Sequence, residues 1–193
     1  MAKTITEYKK LHLGCGHRYF KDWLNVDKFS KEADLEIDLE KTPWDNVPSN
    51  TFEEVYCAHT LEHLQDTQSF MGEVWRATTN NAKVTIIVPH FSSVAAASPF
   101  HKKTFNSQSM NYFTIDSPEK YGAANFKVES VKLRWFPINK DYINFSLKRK
   151  IASKIGLIID FFANSNISFF ERIWWPYVGG AFEIEWVLRT VKN

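Results

Sequence analysis

Apolar and polar positions along the chain follow two periods, and the change from one to the other marks its elements. Leu11-His12-Leu13 runs into Gly14-Cys15-Gly16, and Trp23-Leu24-Asn25-Val26 ends in Asp27. From Ala33 to Leu39, the residues Leu35, Ile37 and Leu39 alternate with Asp34, Glu36 and Asp38, the period of a strand. Pro43, Pro48 and the pairs Asp45-Asn46 and Ser49-Asn50 mark a loop, after which Phe52 to His59 predicts a fourth strand. Asp66 or Thr67 is placed to cap a helix reaching about Asn80, with Phe70, Val74 and Ala77 on one face. Asn80-Asn81 supplies a turn. Val84 to Val88 is then a continuous apolar run stopped by Pro89, the pattern of a parallel strand buried on both faces.

The second half changes character. Ser92 to Ser98 is small and flexible in composition, and His101 to Phe113 predicts a short helix. Phe126 and Val128, then Val131, Leu133 and Trp135, alternate but slip phase at Glu129-Ser130, which predicts a bulged strand. Leu147, Ile151, Ile155, Ile158 and Phe162 recur at helical spacing, and Phe182, Ile184, Trp186 and Leu188 alternate as a closing strand. Strands alternating with helices to about residue 90, followed by two late strands, predict an α/β sheet.

Composition adds boundaries. A length of 193 residues suits one domain. With 24 Lys+Arg against 22 Asp+Glu there is no basic excess of the kind a nucleic-acid protein shows, so no nucleic-acid partner is expected. Cys15 and Cys57 form no disulfide framework, and Met1 to Lys10 is polar, so a cytoplasmic location without a signal peptide is expected. No run of 18 apolar residues is available to span a membrane. Sixteen Phe, seven Tyr and seven Trp call for a large core, a cleft or a covered surface.

A glycine loop after a first strand lets the backbone turn tightly and approach a ligand. Gly14-Cys15-Gly16 lacks the third glycine of the dinucleotide pattern, since Tyr19 stands there. Trp23 follows Gly16 by only seven residues, too few for a crossover of roughly ten to twelve, so NAD and FAD are excluded. Asp27 and Asp38 close the second and third strands. In a parallel sheet they share with the glycine loop the carboxyl edge, where open α/β sheets bind ligands. A carboxylate at the end of the second strand can accept from two ribose hydroxyls, and one at the end of the third from an adenine amino group.

Taken together, Leu11-His12-Leu13-Gly14-Cys15-Gly16, Trp23-Leu24-Asn25-Val26-Asp27, Asp38-Leu39 and His59-Thr60-Leu61-Glu62-His63-Leu64 resemble class I S-adenosylmethionine-dependent methyltransferases. They look most like the small bacterial and archaeal group found with glycan or cell-surface biosynthesis, to which Ser98-Pro99-Phe100-His101-Lys102-Lys103-Thr104-Phe105 is also similar. The likeness covers about residues 10–115. It implies a Rossmann-like, mostly parallel seven-stranded sheet with a C-terminal antiparallel strand and helices on both faces. It further implies S-adenosylmethionine as cofactor and S-adenosylhomocysteine as product. Leu13, Gly14, Cys15 and Gly16 would lie under the methionine part, Asp27 on the ribose, Asp38 and Leu39 at the adenine, and His59 beside the cofactor. The link after Gly16 departs from the family, because it is too short for the usual first helix.

The acceptor expected is a small molecule or a glycan. If it is a hydroxyl, a base must remove its proton, and histidine suits neutral pH. His59 and His101 are the candidates, with His90 in reserve. His59-Thr60-Leu61-Glu62-His63 also reads as H-x-x-E-H, so a zinc hydrolase is a rival if one helix runs through all five residues. A non-catalytic cofactor-binding protein on the same fold is another. Within the single domain 1–193, an aromatic helical insertion at about 141–178 carries Lys148-Arg149-Lys150 and then Phe169, Phe170, Trp174 and Trp175. Packing on the sheet, a lid over the acceptor, a homodimer face, or a peripheral membrane contact through residues 144–175 are the expectations for it.

Overall fold

A computed structural model describes residues 4–119, 122–135 and 147–192. Seven strands form one sheet: β1 (Lys10–Leu13), β2 (Leu24–Asp27), β3 (Leu35–Glu36), β4 (Phe52–Ala58), β5 (Thr78–Pro89), β6 (Phe126–Arg134) and β7 (Glu183–Thr190). Their order is β3-β2-β1-β4-β5-β7-β6. β1 to β5 are mutually parallel, and β7 pairs antiparallel with both β5 and β6, so β7 alone runs against the rest. The mostly parallel sheet with its reversed last strand, and helices around it, is the predicted architecture.

Strand periodicity puts alternate residues on opposite faces. Leu11, Leu13, Val26, Val55, Cys57, Val84, Ile86, Val88, Ile184, Trp186 and Leu188 share one face and are at most 1 % exposed. Against this face packs α1 (Thr67–Ala77), through Phe70, Met71, Val74 and Ala77. The other face is covered less completely: Tyr56, Thr85, Ile87 and Val187 are only half-buried. The apolar run Val84–Val88, expected to be buried on both faces, is therefore fully buried on one.

A small polar and aromatic cluster takes the place of the missing first helix. Phe20 stacks on His12 at 4.1 Å and meets Trp23 and Tyr56 at 5.4 and 5.3 Å. Asn25, fully buried on β2, accepts from the Phe20 N–H and donates to the carbonyls of Phe20 and Trp23 and to Asp34. His12 Nδ1 lies 3.1 Å from the same Asn25 oxygen. One buried amide thus holds the whole 17–23 turn to the sheet.

Boundaries moved where local geometry overrode the pattern. α1 is capped by Asp66, which accepts from the Ser69 N–H, but stops at Ala77 because Thr78 already pairs with Phe52. Asn80-Asn81 then bulges out of β5, with Asn81 at φ 61°. β3 contains only Leu35 and Glu36, so Asp38 and Leu39 lie beyond its end. The predicted slip in β6 is present, for Val128 and Ser130 pair with consecutive residues of β7 and leave Glu129 unpaired. His101 to Phe113 yields a single 3₁₀ turn, Ser109–Phe113.

Of the insertion, residues 141–146 lie outside the described set. α2 (Leu147–Ser165) forms where the helical period predicted it, with the orientation reversed from packing on the sheet. Its small residues Gly156 and Ala163 are buried, while Ile155, Ile158 and Phe162 are 47, 60 and 68 % exposed. Polar groups do the docking: Asn164 Oδ1 accepts from the Leu133 N–H, its amide donates to the Leu133 carbonyl, and Asp160 accepts from the Trp135 N–H. These bonds satisfy the open backbone of β6, which is the sheet's edge. Short α, π and α turns follow over Ile167–Phe169, Phe170–Trp174 and Trp175–Val178. No described helix is long and apolar enough to cross a membrane.

Asn25→Ala should lower the unfolding free energy by roughly 2–4 kcal/mol, because the buried His12 and the part-buried backbone of Phe20 and Trp23 lose their bonds at once. Urea denaturation followed by far-UV circular dichroism measures this, with a surface control such as Lys21→Ala expected within about 0.5 kcal/mol of the parent.

Candidate active site

Because β1, β2, β4 and β5 are parallel, the residues that follow each of them meet at one edge. β7 runs the other way and begins there, and β6 ends there. Residues from all parts of the chain therefore converge on the carboxyl edge.

The glycine loop is bent by two left-handed residues, Gly14 at φ 67° and Gly16 at φ 52°. The amides of Gly14 and Cys15 both donate to the Val26 carbonyl, at 2.8 and 3.0 Å. A Cβ at Gly14 would fall 2.0 Å from Thr60 Oγ1, so no larger residue fits there without moving Thr60. A Cβ at Gly16 would meet nothing within 4 Å, leaving open space above the loop. Asp27 fixes this shape. Its Oδ2 accepts from the Gly16 N–H at 2.9 Å, and its Oδ1 from Phe29 and Ser30 at 2.8 and 2.9 Å. Burial pushes its pKa up, but the three amides outweigh burial and hold it below the usual carboxylate range.

Asp38 also stands at this edge, with Lys28 Nζ 2.8 Å from its Oδ2, and that lysine holds its pKa down. Leu39 is 6 % exposed and its side chain belongs to the core, so it offers a ligand little surface. Burial raises the pKa of Cys15, and that of the fully buried Cys57 to about 12, so neither thiol is a nucleophile at neutral pH.

His59 follows β4 in a left-handed conformation, φ 54°, which is uncommon outside glycine and is found at sites that require it. Its Nε2 lies 3.3 Å from Glu183 Oε2 and its Nδ1 3.5 Å from Glu62 Oε1. Its interactions with Glu183 first and then Glu62 raise its pKa to about 9 against the effect of burial. It is thus an imidazolium at neutral pH, and it accepts a proton only after first losing one. Glu183 is held in turn by Arg134, whose Nη2 is 2.7 Å from Glu185. Glu183, Glu185 and Arg134 were not singled out in the sequence. Their charges alternate with apolar residues in both strands, as solvent-facing charges also do, so the pattern did not set them apart.

No helix runs through His59–His63. Leu61–His63 is a single 3₁₀ turn after the strand end, and His59 and His63 point to different partners. This corrects the inverted-protease reading, which needs both imidazoles on one helix face. His63 instead meets His101, with ring centroids 4.7 Å apart and planes at 84°. The amides of Lys102 and Lys103 donate to the Glu62 carbonyl, so the 98–105 segment lies along the 3₁₀ turn. Burial lowers the His101 pKa. His90 is fully buried and faces the insertion: its Nε2 is 3.0 Å from Glu171, which also accepts from the Ser107 amide and hydroxyl. As reserve base it is badly placed, and its visible role is to lock the insertion to the end of β5.

The strand order and the glycine loop define the class of fold to which S-adenosylmethionine-dependent methyltransferases belong. Solved structures bear this out. A methyltransferase from Mesorhizobium loti is similar with a TM-score of 0.54 and 14 % identity over 94 % of this chain and 90 % of its own. One from Archaeoglobus fulgidus gives 0.53 and 16 % over 94 and 87 %. The [4+2]-cyclase SpnF gives 0.52 and 12 % over 98 and 79 %. No family model matches the sequence, and no curated protein sequence matches it. At these identities the likeness is one of fold, and the cyclase among the neighbours illustrates that fold and activity are separate matters.

A carboxylate with a depressed folded pKa stabilises the protein above its unfolded pKa, about 3.9 for Asp. That contribution is lost as pH falls through the lower folded value. Asp27 should follow this course, with about 1.5–3 kcal/mol at stake from bonds to a charged group. The urea midpoint of the parent should therefore fall more steeply below about pH 4 than that of Asp27→Asn.

Proposed function

We propose that this protein is an S-adenosylmethionine-dependent methyltransferase acting on a small or carbohydrate-like acceptor. The observation that carries the reading is the glycine loop, pinned by Asp27 at the carboxyl edge of a sheet with the order of methyltransferase folds. The residues fit the cofactor. The loop is open above Gly16, and Asp27 Oδ2 accepts a single amide and keeps a lone pair for a ribose hydroxyl. Leu13 to Gly16 would cradle the methionine part, and Asp38 with the Leu39 backbone would meet the adenine.

When bound, the cofactor supplies a methyl group on a sulfonium, ready for in-line displacement. The chain's task is then alignment, which removes a large entropic barrier. His59, carrying its proton between two carboxylates, orients this edge. His101, whose pKa burial lowers so that the neutral imidazole is favoured, is the candidate to take a proton from an acceptor hydroxyl. The resemblance to the glycan-associated group supports a sugar hydroxyl as the acceptor. A cofactor-binding protein without catalysis is the second reading, favoured by the absence of the usual first helix behind the loop.

Calorimetric titration with S-adenosylhomocysteine should show one site, weakened about ten- to a hundred-fold in Asp27→Asn, equal to roughly 1.4–2.8 kcal/mol. Failure of the folded parent to bind would end the methyltransferase reading. With a methyl acceptor found by screening glycans and small hydroxyl compounds, His101→Ala should keep cofactor affinity and lose about 10²–10⁴ in turnover. Binding without turnover on any acceptor would favour the non-catalytic reading.

A further inference from the structure

Glu62 is anomalous. Its residue is 1 % exposed, and no donor stands in good hydrogen-bond geometry to either carboxylate oxygen, so its charge is met only by the ion pair with His59, thin compensation for burial. His59 approaches one of its oxygens only to 3.5 Å. On another side stand two imidazoles, and one ligand atom from each of Glu62, His63 and His101 lies within 4.8 Å of the other two. His63 Nδ1 is 3.2 Å from the Phe100 carbonyl, so its proton sits on Nδ1 and its Nε2 lone pair is free. Metal-binding histidines are oriented in this way, by donating the second ring nitrogen to a carbonyl or carboxylate. His101 Nδ1 is buried and unpartnered as well.

We propose that Glu62, His63 and His101 form a binding site for a divalent transition-metal ion, with zinc as the best match. Two imidazoles and a carboxylate are a donor set zinc favours, and three protein ligands leave a fourth position for water or a substrate oxygen. His63 is exposed, so this position is open to solvent. The site differs from the H-x-x-E-H arrangement, because His101 from the distant 98–105 segment replaces His59. Binding of the ion does not depend on the methyltransferase reading. Should that reading hold, the open position would receive an acceptor oxygen, and His101 would act by holding the ion.

The test uses the full, tag-free chain stripped with chelator, titrated with zinc by calorimetry and with cobalt(II) by visible absorption, both without S-adenosylmethionine. One equivalent of zinc, and the intense visible bands of four-coordinate cobalt, are expected. His63→Ala and His101→Ala should each weaken zinc at least ten-fold, and the double variant should abolish the cobalt bands. Glu62→Gln, which keeps the shape of the buried side chain, should weaken zinc with its circular dichroism unchanged, and His17→Ala should bind as the parent does. No stoichiometric zinc, or zinc retained by the double variant, overturns the proposal. S-adenosylhomocysteine titration of the same samples reads the methyltransferase reading separately, so either can fail alone.

Discussion

The end of β2 is the constraint on which the rest of this edge depends. Asn25 and Asp27 lie on the same side of that strand, and between them they bind the backbone of residues 16, 20, 23, 29 and 30. A helix after the glycine loop would ordinarily satisfy such groups internally and cover the sheet. Here two polar side chains and a stack of aromatic rings do it in a ten-residue link. The arrangement fixes the loop from behind and leaves its upper side open, which is what a ligand-cradling loop requires.

The charges at the other half of the edge follow from topology. Only a reversed β7 brings Glu183 to the carboxyl edge, opposite His59 at the end of β4 and beside Arg134 at the end of β6. His59 is thereby committed to a bridge between carboxylates. His63 and His101 are left facing each other beside Glu62, the more loosely held of those two carboxylates. Three histidines that look equivalent along the chain, His59, His90 and His101, thus have three different surroundings: an ion-pair bridge, a buried lock on the insertion and a ring set edge-on to His63 with its Nδ1 unbonded.

The insertion is attached by polar groups together with the core residues Ala163 and Phe170. Asp160 and Asn164 complete the edge of β6, Glu171 is fastened to His90 and Ser107, and small residues allow α2 to approach closely. Ile155, Ile158 and Phe162 consequently point outward, and Phe162 with Phe169 and Trp174 borders a groove of ≈ 490 Å³. Helical spacing revealed that the stripe exists. It did not say which side of α2 would be occupied.

By itself the sequence determined the sheet class, six of the seven strands to within a few residues, the bulge at Glu129, the α2 helix and the absence of a helix behind Gly16. These are local matters: period, capping and chain length act between neighbouring residues and are written there directly. It also pointed to Asp27 and Asp38 as edge carboxylates, through their place after strands. Tertiary structure alone decided that Asp27 binds three amides, that Leu39 turns into the core, that Asn80-Asn81 bulges out of β5, and that one sheet face is only half covered. It alone joined His59 to Glu183 and Glu62 to His101. Such pairings depend on the order and direction of strands far apart in the chain, and on which groups are left without water when those strands pack. A pattern of one residue after another carries no record of either.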